Sequence, residues 1–287
     1  MAESVTVVET PRDAFQGLKK IIPAEQKIAY IRGLLAAGFR HVDLGSFVSP
    51  KAVPQMADSE EVVRAFHDIK GIERIAIIAN TTGLERAIAV GGLDALGFPF
   101  SLSQQFQLLN TKTTTTQTWP VVEQMIAKTE AHDMSFILYL SMAFGNPYGE
   151  AWSGDDLSRM IKRLSSMGVR HISLADTVAV AKPKQVEELF RALTAEFPEV
   201  KFSAHFHGRP QDWFECVDAA LSAGCRRFDA AAGGLGGCPF AQDTMIANTP
   251  SEQLVARLHG KGFITGVDEG RAKECAAQAG RFQREYA

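Results

Sequence analysis

A short repeated pattern, in which a helix ends at a glycine and a strand follows within three residues, most constrains the fold of this chain. It occurs three times, in AAGFRHVDL, SMGVRHISL and SAGCRRFDA. A glycine just past the last helical turn is a common helix end. The short apolar run after it is typical of a strand buried in a parallel sheet. The pattern therefore predicts alternating helices and parallel strands.

The same alternation continues along the chain and predicts eight strand–helix units. The strands are expected at residues 5–9, 41–44, 75–79, 95–99, 135–140, 171–175, 201–207 and 227–230. The helices are expected at residues 24–37, 59–69, 83–90, 119–132, 154–167, 183–197, 210–223, 251–260 and 267–285. Eight units close a barrel, so we predict an α/β protein with a (β/α)8 TIM barrel in a single domain over residues 1–287. An open doubly wound sheet is the alternative, but no G-x-G-x-x-G follows the first strand.

Composition limits the partners of such a barrel. The chain has 287 residues, 46% of them hydrophobic, and a net charge of -3, so no nucleic-acid partner is expected. The sequence contains no run of 18 apolar residues, so no membrane-spanning segment is predicted. The first residues, MAESVTVVET, have neither the pattern of a secretory signal nor that of a transit peptide. None of the four cysteines forms a CxxC pair, so no structural zinc site is expected. Four cysteines in a chain of this size indicate reduced thiols and a cytoplasmic protein.

Two histidines, His205 and His207, end the predicted seventh strand on either side of Phe206. Side chains alternate between the faces of a strand, so both imidazoles are expected to point the same way. In a barrel the active site lies at the carboxyl ends of the strands, where these residues fall. Two histidines on one face can bind a metal ion. A pair of hydrogen-bonded core histidines is the alternative interpretation.

The first predicted strand is followed by Pro11, Arg12 and Asp13. In a closed barrel the first strand lies beside the eighth, so the Asp13 carboxylate can reach the end of the seventh strand. Asp13 with His205 and His207 would form a metal site with open positions for water and substrate. A surface Arg–Asp pair or a helix N-cap is the alternative.

A glycine-rich segment, GGLGGCPF at residues 233–240, follows the eighth predicted strand. Four glycines in five residues allow backbone conformations that other residues rarely adopt. Cys238 in such a loop over the barrel mouth is a candidate acid or nucleophile. A flexible loop with an incidental buried thiol is an equally good interpretation of this segment.

Taken together, these segments resemble the 3-hydroxy-3-methylglutaryl-CoA lyase family, a group of metal-dependent TIM barrels that cleave or form carbon–carbon bonds in acyl-CoA compounds. The resemblance covers nearly the whole chain. It is carried, in chain order, by VVETPRDAFQ, SFVSPKAVPQMAD, ISLADT, HFH and GGLGGCPFAQ.

The resemblance implies a reaction and a set of site residues. The implied reaction is cleavage of 3-hydroxy-3-methylglutaryl-CoA to acetoacetate and acetyl-CoA with a divalent cation, Mg or Mn. The implied metal ligands are Asp13, His205, His207 and Asn248. Arg12 would steady the enolate oxygen, and Cys238 would take part in proton transfer. Asp43 and Asp176 are expected to take part in catalysis, and Gln16, Ser46 and Ser173 to bind the acyl substrate. The resemblance also implies that the protein forms a homodimer and takes part in leucine breakdown.

Departures from the family pattern cluster at the predicted barrel mouth. They are Asp43 for Glu, Gly208 for Asp, Ala175 for Gly, Asn146 for Cys, Gln104 for an acidic residue, and one extra residue before Asn248. The metal set and Arg12 are retained, so catalysis is expected. The acyl group stays open, and the same chemistry on a different 3-hydroxyacyl-CoA is the alternative.

Two other classes of function are compatible with such a barrel. A condensing acyltransferase would usually be longer, with a C-terminal regulatory region. A non-catalytic acyl-CoA-binding barrel would be expected to lose Arg12, Asp13 or one of the two histidines, and none is lost.

Overall fold

Eight parallel strands close into a barrel in the computed structural model, which describes residues 2–209, 213–237 and 246–287. The strands are β1 (Thr6–Glu9), β2 (His41–Ser46), β3 (Glu73–Ile77), β4 (Ala95–Ser101), β5 (Ser135–Ser141), β6 (His171–Asp176), β7 (Lys201–Gly208) and β8 (Arg227–Ala230). Each strand pairs with the next, and β8 pairs with β1. The predicted (β/α)8 barrel is confirmed.

Helices surround the barrel and cover the outer faces of its strands. They are α1 (Pro11–Gln16), α2 (Ala24–Ala36), α3 (Ser59–Arg64), α4 (Thr81–Val90), α5 (Gln104–Thr111), α6 (Thr115–Glu130), α7 (Gly154–Ser166), α8 (Pro183–Glu196), α9 (Trp213–Ser222), α10 (Ser251–Gly260) and α11 (Glu269–Tyr286). None of the helices in the described part of the chain combines the length and apolar composition that a bilayer crossing requires.

Some helix boundaries differ from the prediction for identifiable reasons. The helix expected at residues 59–69 ends at Arg64, because the chain then tightens into turns whose Phe66 and Ile69 carbonyls accept hydrogen bonds from Arg74. The short helices α1 and α5 were not predicted, since six and eight residues show little periodicity. The helix expected at residues 210–223 is seen as α9, and residues 210–212 lie outside the described residues.

Three arginines make the same contact at the amino-terminal face of the barrel. Arg40, Arg170 and Arg226 each stand directly before a strand. The Nη1 of each donates to the carbonyl five residues earlier, at 2.8 to 2.9 Å, in the last turn of the preceding helix. The glycine two residues before each arginine has a φ of 94° to 105°, which lets the chain reverse. We call each of these contacts an arginine joint. Each joint places a positive charge on the carbonyls of a helix C-terminus, where it stabilises the helix.

The barrel interior changes character from one end to the other. Near the amino-terminal end Glu73 binds Arg227 at 2.6 Å and His41 at 2.7 Å. Above this ion pair lies a layer of apolar side chains: Val8, Ile75, Ala95 and Ile137. The polar residues at the carboxyl ends are thus separated from the charged amino-terminal end by an apolar layer.

A short strand, β9 (Ala247–Asn248), runs antiparallel to the end of β7. It pairs Asn248 with His207 and Ala247 with Gly208. The preceding glycine-rich segment begins in a short 3₁₀ turn, Ala232–Gly234. Two glutamates hold this turn, because Glu9 accepts from the Ala232 N–H and Glu252 from the Gly233 N–H, both at 2.9 Å.

We expect Glu9→Gln to stabilise the protein at pH 8. Glu9 is fully buried, it also accepts a hydrogen bond from Ser251, and burial raises the pKa of its carboxyl to about 8. The folded protein keeps a proton that the unfolded chain releases above a pKa near 4.5. Stability is therefore lost as the pH rises between these values, at up to about 1.4 kcal/mol per pH unit. Glutamine mimics the protonated carboxyl.

Thermal unfolding between pH 5.5 and pH 8.5 measures this difference. The Tm of Glu9→Gln is expected to fall less over this range than that of the unmodified protein. The matched control is Glu252→Gln, which changes the less buried glutamate of the same turn. Parallel pH profiles for the protein and Glu9→Gln would contradict the prediction.

Candidate metal and active site

His205 and His207 both point into the mouth of the barrel from β7, and their Nε2 atoms lie 2.9 Å apart. Asp13, on α1 directly after β1, joins them: one potential ligand atom of each residue lies within 4.8 Å of the others. All three side chains are almost fully removed from solvent. The structure thus brings together the three residues that the sequence proposed as metal ligands.

The protonation pattern of the two histidines suits a cation. His205 Nδ1 lies 3.0 Å from the Asp229 carboxylate, so Nδ1 carries the hydrogen and Nε2 presents a lone pair. Burial opposes protonation of His205, but the hydrogen bond and charge of Asp229 and the charge of Asp13 raise its pKa. Burial and the neighbouring His205 lower the pKa of His207 to about 4. His207 is therefore neutral near pH 7, the form that binds metals.

Asn248 completes the candidate ligand set from β9. Its Nδ2 donates to Asp13 Oδ2 at 2.8 Å and to the Leu235 carbonyl at 3.0 Å. These two bonds use the amide hydrogens and leave Oδ1 as the atom that could bind a metal. His207 Nδ1 is buried and has no hydrogen-bond partner among the described residues. Two imidazoles, a carboxylate and an amide oxygen could together hold a divalent cation.

Arg12 links the metal cluster to a second carboxylate. Its Nη1 donates to Asp13 Oδ1 at 3.0 Å, and its Nε donates to Asp43 Oδ2 at 2.8 Å. Gln16 supports this arrangement, since it donates to Asp13 Oδ1 at 2.7 Å and accepts from Arg12 Nη1 at 3.1 Å. Burial opposes the charge of Arg12, yet the two carboxylates raise its pKa. Arg12 is thus a fixed positive charge beside the cluster.

Asp43 is buried on β2 with one oxygen unengaged. Its Oδ1 has no hydrogen-bond partner in the described part of the chain. Burial raises the pKa of Asp43 to about 6, against the charge of Arg12. The register of β2 against β3 shifts between Asp43 and Gly45, a bulge of the kind that re-aims side chains beside active sites. A carboxylate with a pKa near neutrality and a free oxygen can accept a proton.

Two residues of the site were missed from the sequence. Asp229, on β8, orients His205, and Ser173 donates to the same carboxylate oxygen at 3.4 Å. Tyr139, on β5, presents its ring edge-on to His205 with centroids 6.0 Å apart. A carboxylate inside the predicted strand RFDA was the available signal, because aspartate is disfavoured in strands.

Two further predicted site residues, Asp176 and Ser46, contact the loop after β6 and the neighbouring strand β3, respectively, and a third, Cys238, is not among the described residues. Asp176 accepts the backbone N–H groups of Val178, Val180 and Ala181 and so shapes the loop after β6. Ser46 makes a long hydrogen bond of 3.4 Å to the Ile77 carbonyl of β3. The roles assigned to all three stay predictions.

A closed (β/α)8 barrel with a buried Asp–His–His cluster, an amide and an arginine at the carboxyl ends of its strands defines a TIM-barrel protein with a candidate divalent-metal active site. The chain belongs to the HMGL-like family, which matches residues 5–277. The resemblance drawn from the five sequence segments is confirmed.

Known relatives agree with this membership. The cytoplasmic 3-hydroxy-3-methylglutaryl-CoA lyase of Rattus norvegicus is 33% identical over 275 residues, 96% of this chain and 80% of the relative. The (R)-citramalyl-CoA lyase of Chloroflexus aurantiacus is 31% identical over 277 residues, 93% of this chain and 87% of the relative. The crystal structure of the HMG-CoA lyase from Brucella melitensis superimposes with a TM-score of 0.91 at 30% identity, over 99% of this chain and 100% of that chain.

Proposed function

We propose that this chain is a divalent-metal-dependent carbon–carbon lyase that cleaves 3-hydroxy-3-methylglutaryl-CoA to acetoacetate and acetyl-CoA. The position of Arg12 carries this proposal: it binds Asp13 of the metal cluster on one side and Asp43 on the other. A fixed positive charge thus lies within reach of both a bound cation and a proton acceptor. Family membership and the lyases among the relatives support the same reaction.

The reaction needs three things from the site. The 3-hydroxyl must lose its proton, and the bond between C2 and C3 must break. C3 then becomes the ketone carbon of acetoacetate, and the electron pair passes to C2 and the thioester as the acetyl-CoA enolate. The enolate finally takes a proton at C2.

The residues of the site match these needs. A cation held by Asp13, His205, His207 and Asn248, for which we propose Mg or Mn, would lower the pKa of the 3-hydroxyl. The free Oδ1 of Asp43 would accept the proton in this proposal, because both histidines direct Nε2 into the cluster. Arg12 stabilises the enolate oxygen, where negative charge develops.

Other residues have supporting roles in this proposal. Cys238 returns a proton to C2, directly or through water. Gln16 and Ser173 hold Asp13 and Asp229, the two carboxylates next to the histidines. Asp176 and Ser46 shape the loop and strand end around the acyl group. We further propose that the enzyme is a cytoplasmic homodimer that acts on acyl-CoA in leucine breakdown.

Purified protein loaded with Mg or Mn is expected to convert 3-hydroxy-3-methylglutaryl-CoA to acetyl-CoA and acetoacetate in equal amounts. Turnover in the usual range of about 1 to 10³ per second is expected, and chelation should remove it. A parallel assay with (R)-citramalyl-CoA tests the acyl group. A higher kcat/KM for that compound would reassign the substrate, and no turnover of either compound by metal-loaded protein would contradict the proposed reaction.

A further inference from the structure

The structure explains why glycine occupies position 208, directly after the metal-site residue His207. A Cβ built on Gly208 would lie 2.6 Å from Cδ1 and 3.1 Å from Nε1 of Trp213. Real Cβ atoms do not approach other atoms so closely, and the nearest atoms belong to a bulky buried ring. The Trp213 indole thus occupies the space that a side chain at position 208 would need.

The same indole also contacts the strand that carries Asn248. Trp213 Nε1 donates to the carbonyl of Ala247 at 3.3 Å, and Ala247 pairs with Gly208 across β7 and β9. Gly234 lies in the 3₁₀ turn that opens the glycine-rich segment. A Cβ built on Gly234 would lie 3.4 Å from the far edge of the same ring. One side chain therefore touches the end of β7, β9 and the base of that segment.

We propose that Trp213 is a positioning residue for the metal site. By packing on Gly208 and binding the Ala247 carbonyl, it fixes β9 against β7 and so holds Asn248 beside His207 and Asp13. This inference rests on the proposed metal site, since it concerns the placement of Asn248 as a ligand. A glycine at position 208 and a tryptophan at position 213 then form a matched pair.

Calorimetric titration of the apoprotein with Mn²⁺ tests the proposal without any substrate. Trp213→Phe keeps an aromatic ring and loses the hydrogen bond to Ala247, and it is expected to weaken Mn²⁺ binding about fivefold. Gly208→Ala forces the indole to shift and is expected to weaken binding as well. Trp119→Phe is the matched control, since Trp119 is buried against Phe100 and Arg163, away from β9, and it should leave the Kd unchanged.

A double substitution tests whether Gly208→Ala acts through the indole, and comparison of Tm with Kd separates positioning from simple packing. In a Trp213→Ala background, Gly208→Ala is expected to cause no further loss of Mn²⁺ affinity, because no indole remains to be displaced. If Trp213→Phe and Gly208→Ala lower the Tm but leave the Mn²⁺ Kd at its original value, the proposal is overturned. If the unmodified protein does not bind Mn²⁺ at all, the metal site itself is wrong. Should Trp213→Ala not fold, Trp213→Phe and Gly208→Ala still decide the question.

Discussion

Replacing Asp13 by alanine is expected to abolish measurable binding of Mn²⁺ and, with it, turnover of the acyl-CoA substrate. Asp13 supplies the only carboxylate among the described residues of the metal cluster, and its charge offsets that of the cation. Its loss also leaves the Asn248 amide and the Arg12 Nη1 without a common acceptor. Calorimetric titration and an acetyl-CoA release assay measure the two effects on the same preparation.

A graded control distinguishes a metal ligand from a residue that orients one. Asp229→Asn keeps all the proposed ligands but replaces the carboxylate that accepts from His205 Nδ1. Loss of such a partner typically weakens metal binding about 10- to 100-fold. Asp229→Asn should therefore bind Mn²⁺ measurably more weakly, and Asp13→Ala not at all. Equal Mn²⁺ affinity in Asp13→Ala and the unmodified protein would place the cation elsewhere.

Arg12→Gln is expected to lower kcat about 10²- to 10³-fold, the usual cost of removing one group that stabilises a developing oxyanion. KM should change much less, because the positive charge matters most when the enolate forms. The affinity for Mn²⁺ should not weaken, since Asp13, His205 and His207 all remain. Steady-state kinetics together with the calorimetric titration check each part.

Arg12→Lys is the matched control for this substitution. It keeps the charge but loses the planar group that contacts Asp13 and Asp43 at once. Its kcat is expected to lie between those of Arg12→Gln and the unmodified protein. A raised KM with an unchanged kcat in Arg12→Gln would show that Arg12 serves substrate binding instead of stabilising the enolate.

The histidine pair and the barrel could be predicted because simple periodicities determine them. Residues two apart on a strand share a face, so His205 and His207 had to point together once β7 was identified. The closed sheet then brought Asp13, beside β8, within reach of β7. These inferences needed only the strand order and the rule that active sites lie at the carboxyl ends of barrel strands.

Residues that act across the barrel could not be predicted in the same way. Asp229 and Tyr139 lie inside strands, and their contacts with His205 depend on the register of β7 against β8 and on the open space that Gly97 leaves for the tyrosine ring. Trp213 packs on Gly208 and binds the Ala247 carbonyl of β9, a strand of two residues that has no periodicity to detect. The aspartate inside the predicted strand RFDA marks Asp229 as unusual, but the partners of these residues follow from three-dimensional packing and leave no pattern along the chain.

The three arginine joints at the amino-terminal face also bear on how this barrel could diversify. Arg40, Arg170 and Arg226 tie helix ends to strand starts at the opposite end of the barrel from Arg12 and the histidines. These three contacts are therefore physically separate from the candidate metal site. Loops at the mouth can be exchanged, by natural drift or by an engineer grafting a new acyl specificity, while the scaffold keeps the contacts that sustain it.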